Sequence, residues 1–381
     1  MRLSTLILLL LSITICHGAK ADTTNESRIK HIKISSRLVS QDLEFTVITP
    51  QGYDPKSTQR YPVFYTQTDS IRLKLIKQQL DWLSHLDFGP VPKMLIVALP
   101  SITLPNQPRH KNAAASGLST PLAIKVLTEE IFPYIDTHFH NQPFKIIEGY
   151  STQANFPLDI LASKPALFNA YISISPALVL DKSALLKRLT TTLSKHQLTH
   201  TSLYTSLGSF KQNKPLFKQL EKIIEGGKSK LAYQLVDLSE INYYTTPVTA
   251  LPQALEQLFK DRQPQDIEQF RAQGMEGVIR YYEQLKDKYG YLMSPLSTLV
   301  ELGQLQLEHN EATAAQQTFE HIIKLKPNSL YYLTLLAKAQ QKNHQILTAK
   351  QTLQKALKLA KATKIQGEID YVESQIKALV Q

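Results

Sequence analysis

The sequence is poor in cysteine: it has one, Cys16, which lies near the start of the chain. If the first 21 residues are removed during export, the mature chain can form no disulfide bond, thiolate zinc site or cysteine nucleophile. Long hydrophobic runs are lacking too. The longest, Leu6 to Cys16, is shorter than the roughly 20 residues needed to span a bilayer, so we expect no transmembrane segment.

The N-terminal run has the pattern of a secretory signal peptide. Arg2 precedes it, and the small residues Gly18-Ala19 follow it. We expect residues 1–21 to be removed and the mature protein to be periplasmic or secreted. A lipid anchor on Cys16 would need a small residue before it, and the bulky Ile15 argues against such an anchor.

Acidic residues are fewer than basic ones. The chain has 43 Lys and Arg against 32 Asp and Glu, a formal net charge of +11, which falls to +9 when Arg2 and Lys20 leave with the signal. Lysines such as Lys187 and Lys218 are scattered through helical stretches, which indicates a solvated basic surface. The export signal further argues against nucleic-acid binding. The histidines show no metal-site pairing, and we expect neither a metal nor a cofactor.

From about residue 29 to residue 260, short strand-like runs alternate with amphipathic helical stretches, which predicts an α/β fold with a mostly parallel sheet. Eight strands are predicted, at Lys30–Ser36, Leu43–Thr49, Val63–Gln67, Met94–Leu99, Lys145–Glu148, Tyr171–Ser175, Ser202–Ser206 and Ala232–Val236. The first two should pair as a hairpin. Between the fourth and fifth strands, Thr120-Pro121 predicts the start of a helix.

After Lys260 the strand patterns end, and Asp261–Pro264 is predicted to be a linker. A 34-residue repeat follows, in which Leu302-Gly303, Ala315, Phe319 and Ile322 are matched by Leu336-Ala337, Ala349, Leu353 and Ala356. The pattern resembles the tetratricopeptide repeat, whose helix pairs stack on one another. We therefore predict an α/β domain at residues 22–262 and a helical repeat domain at 265–381 that binds a protein partner.

The stretch Gly149-Tyr150-Ser151-Thr152-Gln153 joins a predicted buried strand to a helix. It is similar to the Gly-x-Ser-x-Gly turn that carries the nucleophile of α/β-hydrolases, but Gln153 replaces the second glycine. Pro157 follows, and a proline in a helix interior costs about 3 kcal/mol. Both features predict a wider turn and a displaced Ser151 hydroxyl.

Further motifs accompany this turn: Tyr61-Pro62-Val63-Phe64-Tyr65, Glu129–Asp136, Lys164–Phe168 and Ile172–Leu178. Their order and spacing resemble the Putative esterase family of α/β-hydrolases, which includes enterochelin and other siderophore esterases and the esterase D group. The resemblance covers residues 29–260. It implies an α/β-hydrolase fold with about eight strands and a small ester or siderophore-like ligand.

The resemblance also implies the positions of the site residues. Ser151 would be the nucleophile, and the backbone amides of Thr152 and Asp69 would form the oxyanion hole. The family's histidine base falls at Tyr243 and its acid at Ser209, so neither group is found where it is expected. A phenol, with a pKa of about 10, is a poor general base at neutral pH.

Two functions follow from this pattern. In the one we favour, the missing base, acid and second glycine leave a pseudoenzyme that binds a ligand or serves as a scaffold. In the alternative, Ser151 hydrolyses a carboxylic ester with the help of an unrecognised base. His110, in the loop after the fourth strand, is a candidate for that base, although with Arg109 and Lys111 it could instead form a basic rim that captures an anionic ligand.

Overall fold

The computed structural model describes residues 27–100, 120–181 and 184–379 of the chain. The predicted signal peptide and the loop with Arg109, His110 and Lys111 lie outside the described residues, so the predictions made for them are untested. Contacts divide the chain into two compact units. The first comprises Thr24–Gln263 with Glu283–Met293, and the second contains Pro264–Tyr282 and Ser294–Gln381.

The first unit alternates strands and helices, as the sequence predicts. In chain order its elements are β1 (Ile29–Ser35), β2 (Asp42–Ile48), β3 (Tyr61–Thr66), α1 (Ser70–Ser84), β4 (Leu95–Ala98), α2 (Thr120–Val126), α3 (Phe132–His138), β5 (Asn141–Tyr150), α4 (Asn155–Ser163), β6 (Ala170–Ile174), α5 (Ala184–Lys195), β7 (Ser202–Leu207), α6 (Lys214–Glu225), β8 (Ala232–Asp237) and α7 (Thr246–Leu258). All eight predicted strands are present.

The eight strands form one sheet in the order β1-β2-β4-β3-β5-β6-β7-β8. The predicted β1–β2 hairpin is confirmed as an antiparallel pair, and β2 also lies antiparallel to β4. The remaining neighbours are parallel. Since parallel strands end at the same edge of a sheet, the turns after β3, β5, β7 and β8 meet there, as expected for an α/β-hydrolase fold.

The helix predicted to begin at Thr120 differs from expectation in its middle. A π-helical turn, Leu127–Ile131, separates α2 from α3. Pro133 follows this turn, and a proline has no N–H to donate to the carbonyl four residues earlier, so the regular hydrogen-bond ladder is interrupted there. The apolar side of the helix is still buried: Ala123, Val126 and Ile135 join the main core.

The second unit is helical. Its helices are α8 (Gly274–Tyr289, whose last turns group with the first unit), α9 (Leu296–Glu308), α10 (Ala312–Leu325), α11 (Leu330–Lys342), α12 (Ile346–Thr363) and α13 (Gln366–Ala378). From α9 onward each helix packs against the next. None of the helices in the described ranges is long and apolar enough to cross a membrane.

Side-chain contacts in the second unit recur at the 34-residue spacing found in the sequence. The Thr318 hydroxyl donates to Gln306 Oε1 at 2.9 Å, and the Thr352 hydroxyl donates to Gln340 Oε1 at 2.8 Å. At Gly303 an added Cβ would lie 2.7 Å from the Phe319 ring. The small residue is therefore needed for the close approach of α9 and α10.

Candidate active site

We call residues 149–153, the turn predicted to carry a nucleophile, the nucleophile turn, and this turn is closed. Ser151 has φ of +60°, in the left-handed region that costs a non-glycine residue about 1–2 kcal/mol. A Cβ added to Gly149 would lie 2.2 Å from the carbonyl oxygen of Gln153. The tight approach is made by the Gln153 backbone, so its side chain does not obstruct the turn. The predicted widening is wrong: one glycine at position 149 is enough.

Pro157 does not interrupt the helix after the turn either. A 3-10 turn, Ser151–Ala154, leads into α4, and Pro157 is the third residue of that helix. The first four N–H groups of a helix have no intrahelical acceptor, so a proline there removes no hydrogen bond of the helix. The interior-proline penalty expected from the sequence therefore does not apply.

The two residues predicted to form the oxyanion hole lie at the starts of two helical segments. Thr152 is the second residue of the 3-10 turn, and Asp69 is the N-cap of α1. The Asp69 carboxylate accepts hydrogen bonds from the backbone N–H groups of Ile71 and Arg72, both at 2.9 Å. The Thr152 N–H lies among the first N–H groups of its helical segment, which have no acceptor within the helix and suit an anionic oxygen.

A buried ion pair connects the start of α1 to the end of β5. Glu148, on β5 and fully buried, accepts hydrogen bonds from both terminal nitrogens of Arg72 and from the Thr66 hydroxyl, the last at 2.7 Å. The Arg72 guanidinium also lies 5.2 Å from the centre of the Tyr150 ring. A bidentate pair fixes both partners in orientation, so it ties the oxyanion-side helix to the strand that carries Ser151.

Tyr243, where the sequence resemblance predicts the base, has a structural contact. The Tyr150 hydroxyl donates a hydrogen bond to the backbone carbonyl of Tyr243, and the two rings lie 5.1 Å apart. Burial raises the pKa of Tyr150 well above its ordinary value, with the neighbouring Tyr243 adding to the shift. The phenol therefore stays protonated and can donate this bond throughout the physiological pH range.

The residue predicted at the position of the acid, Ser209, lies on the loop next to this contact. Ser209 is partly buried, and the ring of its neighbour Phe210 lies 5.2 Å from that of Tyr243. Glu240, the carboxylate nearest to Tyr243 along this segment of the chain, is exposed. The structure thus brings the loops expected to hold base and acid together, but aromatic rings fill the space between them.

Four aromatic rings form a continuous row from the turn to the surface. Tyr150 contacts Tyr243, which contacts both Phe210 and Tyr244, the last with 5.3 Å between ring centres. Tyr244 is 82% exposed and Phe210 is 42% exposed. We call these four residues the aromatic row. Exposed aromatic rings beside a closed nucleophile turn offer a surface on which an apolar or aromatic ligand can stack.

No side chain in the described part of the chain forms a hydrogen bond with the Ser151 hydroxyl. His138 and His140 lie elsewhere, the first bonded to the Tyr134 carbonyl and the second beside the Tyr53 ring. The described residues also contain no group of three or more His, Cys, Asp or Glu that could hold a metal ion.

These observations fit a known family. The family described as Putative esterase matches residues 35–240, more than half of the chain. The chain belongs to the Putative esterase family. The match begins within β1, includes Asp69, Ser151 and Ser209, and ends just before Tyr243, so it covers the nucleophile turn but not the position of the expected base.

Solved structures agree on the fold. An IroE-like serine hydrolase from Shewanella oneidensis is 20% identical, with 78% of this chain and 99% of that chain covered and a TM-score of 0.61. An uncharacterised protein from Capnocytophaga ochracea is 16% identical, with 92% and 99% covered and a TM-score of 0.59. The siderophore hydrolase EstB from Aspergillus nidulans is 14% identical, with 61% and 94% covered and a TM-score of 0.50. At these identities the likeness shows the α/β-hydrolase fold alone. A search of curated protein sequences gives no match.

Two features of this putative-esterase site were missed in the sequence. No sequence pattern assigned a function to Arg72 or Tyr150. In the structure Arg72 pairs with Glu148, and Tyr150 donates a hydrogen bond to the Tyr243 carbonyl. Glu148 carried a usable signal, because a charged residue inside the apolar strand Ile146-Ile147 is almost never fully buried unless it is paired. The sequence could not identify Arg72 as its partner, since 76 positions separate them.

Proposed function

We propose that the first unit is an exported pseudoenzyme that binds a small ester or siderophore-like ligand at the aromatic row, while the helical unit binds a protein partner. The observation that carries this proposal is the contact at the base position. The family resemblance puts the imidazole at Tyr243, and the backbone carbonyl and the ring of Tyr243 are both engaged by Tyr150. A serine without a base is a weak nucleophile.

Hydrolysis of a carboxylic ester is the second candidate, and one observation favours it. The Ser151 turn keeps the strained left-handed backbone and the close glycine contact of a working nucleophile turn. Backbone strain of this kind costs stability and is concentrated at active sites. The missing base would then have to come from outside the described residues, where His110 lies.

Labelling with a fluorophosphonate probe separates the two candidates. We expect no labelling of the folded wild-type protein and none of Ser151→Ala. Labelling of the wild type that disappears in Ser151→Ala would establish the hydrolase instead. His110→Gln would then show whether the relocated base is responsible, because it should abolish labelling while leaving the fold unchanged.

Restoring the expected groups provides a positive test. In the double variant Ser209→Asp, Tyr243→His, a base and an acid return to the positions that the family implies. We expect weak hydrolysis of p-nitrophenyl acetate that depends on Ser151. Lack of activity in a folded double variant would mean that the aromatic row, as well as the missing side chains, prevents catalysis.

Export and the protein partner each have a direct test. We expect the N-terminal residue of the protein recovered from the producing cell to be Asp22, which mass spectrometry of the intact chain can establish.

For the protein partner, Tyr331 and Tyr371 are useful positions for substitution. Tyr331 accepts a hydrogen bond from Gln304 and Tyr371 is 50% exposed, so Tyr331→Ala, Tyr371→Ala in the full chain should weaken co-purification of a partner.

A further inference from the structure

The excess positive charge of the chain is concentrated in one segment. Residues 321–367 contain nine lysines and neither Asp nor Glu, so this segment alone carries +9 of the formal net charge of +11. Arg2 and Lys20 in the predicted signal supply the other two charges. The remaining 32 basic residues are matched by the 32 acidic residues. Lysines are scattered through the helical stretches, but the surplus of positive charge lies in this one segment.

The central element of this segment is α12, which has exposed lysines on one side and buried apolar side chains on the other. Lys350, Lys355, Lys358 and Lys361 are all exposed, and at 100° per residue they lie within an arc of about 140°. The opposite side of the helix is buried in the second unit through Ala349, Leu353, Ala356 and Ala360. In the described part of the chain none of the four lysines forms an ion pair.

Apolar side chains are exposed on or beside the same face. Leu347 is 72% exposed and Ile346 is 43% exposed, both in the first turn of α12. On the helix circumference Leu347 falls between Lys350 and Lys358, and Ile346 lies just beyond Lys350. We call these two residues and the four lysines the basic face. Lysines flanking exposed aliphatic side chains are typical of helices that lie on anionic membranes.

We propose that the basic face docks the protein on a bilayer surface that contains anionic phospholipid. The four unpaired lysines provide the attraction to phosphate headgroups, and each lysine near such a surface strengthens binding by about fivefold. Leu347 and Ile346 favour a bilayer over a soluble polyanion, because their apolar side chains can be buried in a bilayer interface. A nucleic acid or a sulfated sugar chain has little apolar surface to bury them.

Co-sedimentation of the full-length mature protein with vesicles tests this proposal. We expect binding to vesicles of mixed phosphatidylcholine and phosphatidylglycerol, and none to phosphatidylcholine alone. The variant K350Q/K355Q/K358Q/K361Q should lower the partition coefficient by at least a hundredfold. Its matched control, K187Q/K195Q/K218Q/K222Q, removes four exposed lysines from the first unit and should leave binding unchanged.

A second pair of variants tests the choice of a bilayer. I346S/L347S should weaken vesicle binding by roughly tenfold and leave binding to heparin unchanged. Three results would overturn the proposal. These are a wild-type protein that ignores anionic vesicles, equal loss of vesicle binding in the two lysine variants, and vesicle binding that is indifferent to I346S/L347S. The last, together with heparin binding as strong as vesicle binding, would show that the basic face recognises polyanions in general.

Discussion

Ser151 adopts a backbone conformation that serine rarely takes, with φ of +60°. Gly149 permits this, because its missing Cβ leaves room for the Gln153 carbonyl. The strain is therefore held by the packing of the turn. The effect of this strain on stability can be measured whether or not Ser151 is catalytic.

Replacing Ser151 should reveal the strain as a stability difference. Ser151→Gly and Ser151→Ala both remove the hydroxyl, but only glycine adopts a positive φ without steric cost. We expect Ser151→Gly to have a free energy of unfolding about 1 kcal/mol higher than Ser151→Ala, measured by urea denaturation. At Ser194, within α5, the order should reverse because glycine is the poorer helix former. The same order at both sites would contradict the strain.

Gly149→Ala should destabilise the first unit strongly. Its new Cβ would lie 2.2 Å from backbone atoms that cannot move independently of α4. We expect a loss of at least about 2 kcal/mol in the free energy of unfolding. Gly227→Ala is the matched control, since its nearest neighbours are at 3.3 Å. Equal losses for the two variants would mean that the turn can relax around an added methyl group.

At the scale of elements, the Arg72–Glu148 pair joins α1 to β5. Its acid is fully buried and its base is nearly so, with 11% of the Arg72 side chain exposed. A single buried charge left without its partner is much more costly than the loss of the pair itself. The pair therefore acts as a fixed connection between the Asp69 cap and the strand that leads to Ser151.

Arg72→Met should lower the free energy of unfolding by about 3–5 kcal/mol, because it leaves Glu148 buried and uncompensated. The double variant Arg72→Met, Glu148→Gln should recover part of that loss, as a double-mutant cycle followed by denaturation can measure. Lys33→Met, in the exposed pair with Asp42, provides a control that should show no measurable loss. A double variant no better than Arg72→Met would show that the charge is not the cause.

At the scale of the whole molecule, the contact map does not divide the chain at a single point. Residues 283–293 group with the first unit, although the preceding turns of α8 group with the second. Tyr289 explains this, because its hydroxyl donates to the Leu258 carbonyl at 2.8 Å and its ring packs on Phe144 and Phe259. The linker predicted at Asp261–Pro264 is followed by chain that returns to the first unit.

A chain ending at Gln263 should therefore be less stable than one ending at Met293. The shorter chain lacks Tyr289, which is 1% exposed, and deletion of a buried aromatic side chain typically costs about 3–5 kcal/mol. We expect a lower melting temperature for the shorter chain by calorimetry. Tyr289→Ala in the full chain should reproduce the effect and Tyr371→Ala should not. Equal melting temperatures for the two truncated chains would contradict the grouping.

Much of this protein could be predicted from local sequence patterns. The strand positions, the nucleophile turn and the 34-residue spacing all follow from periodicity and turn chemistry, which depend on residues that are close along the chain. The prediction of a widened turn failed because such patterns describe residue types and not the positions of their atoms. A sequence pattern shows that Gln153 is large, but it does not show which of its atoms faces Gly149.

The sequence by itself determined the order of elements, the membership of Ser151 in a strand–turn–helix motif and the absence of histidine from the position of Tyr243. Only the tertiary structure decided that Tyr150 holds the Tyr243 carbonyl and that Arg72 neutralises Glu148. The physical reason is distance along the chain. Contacts between remote residues depend on how the sheet and helices pack, and no local pattern specifies that packing.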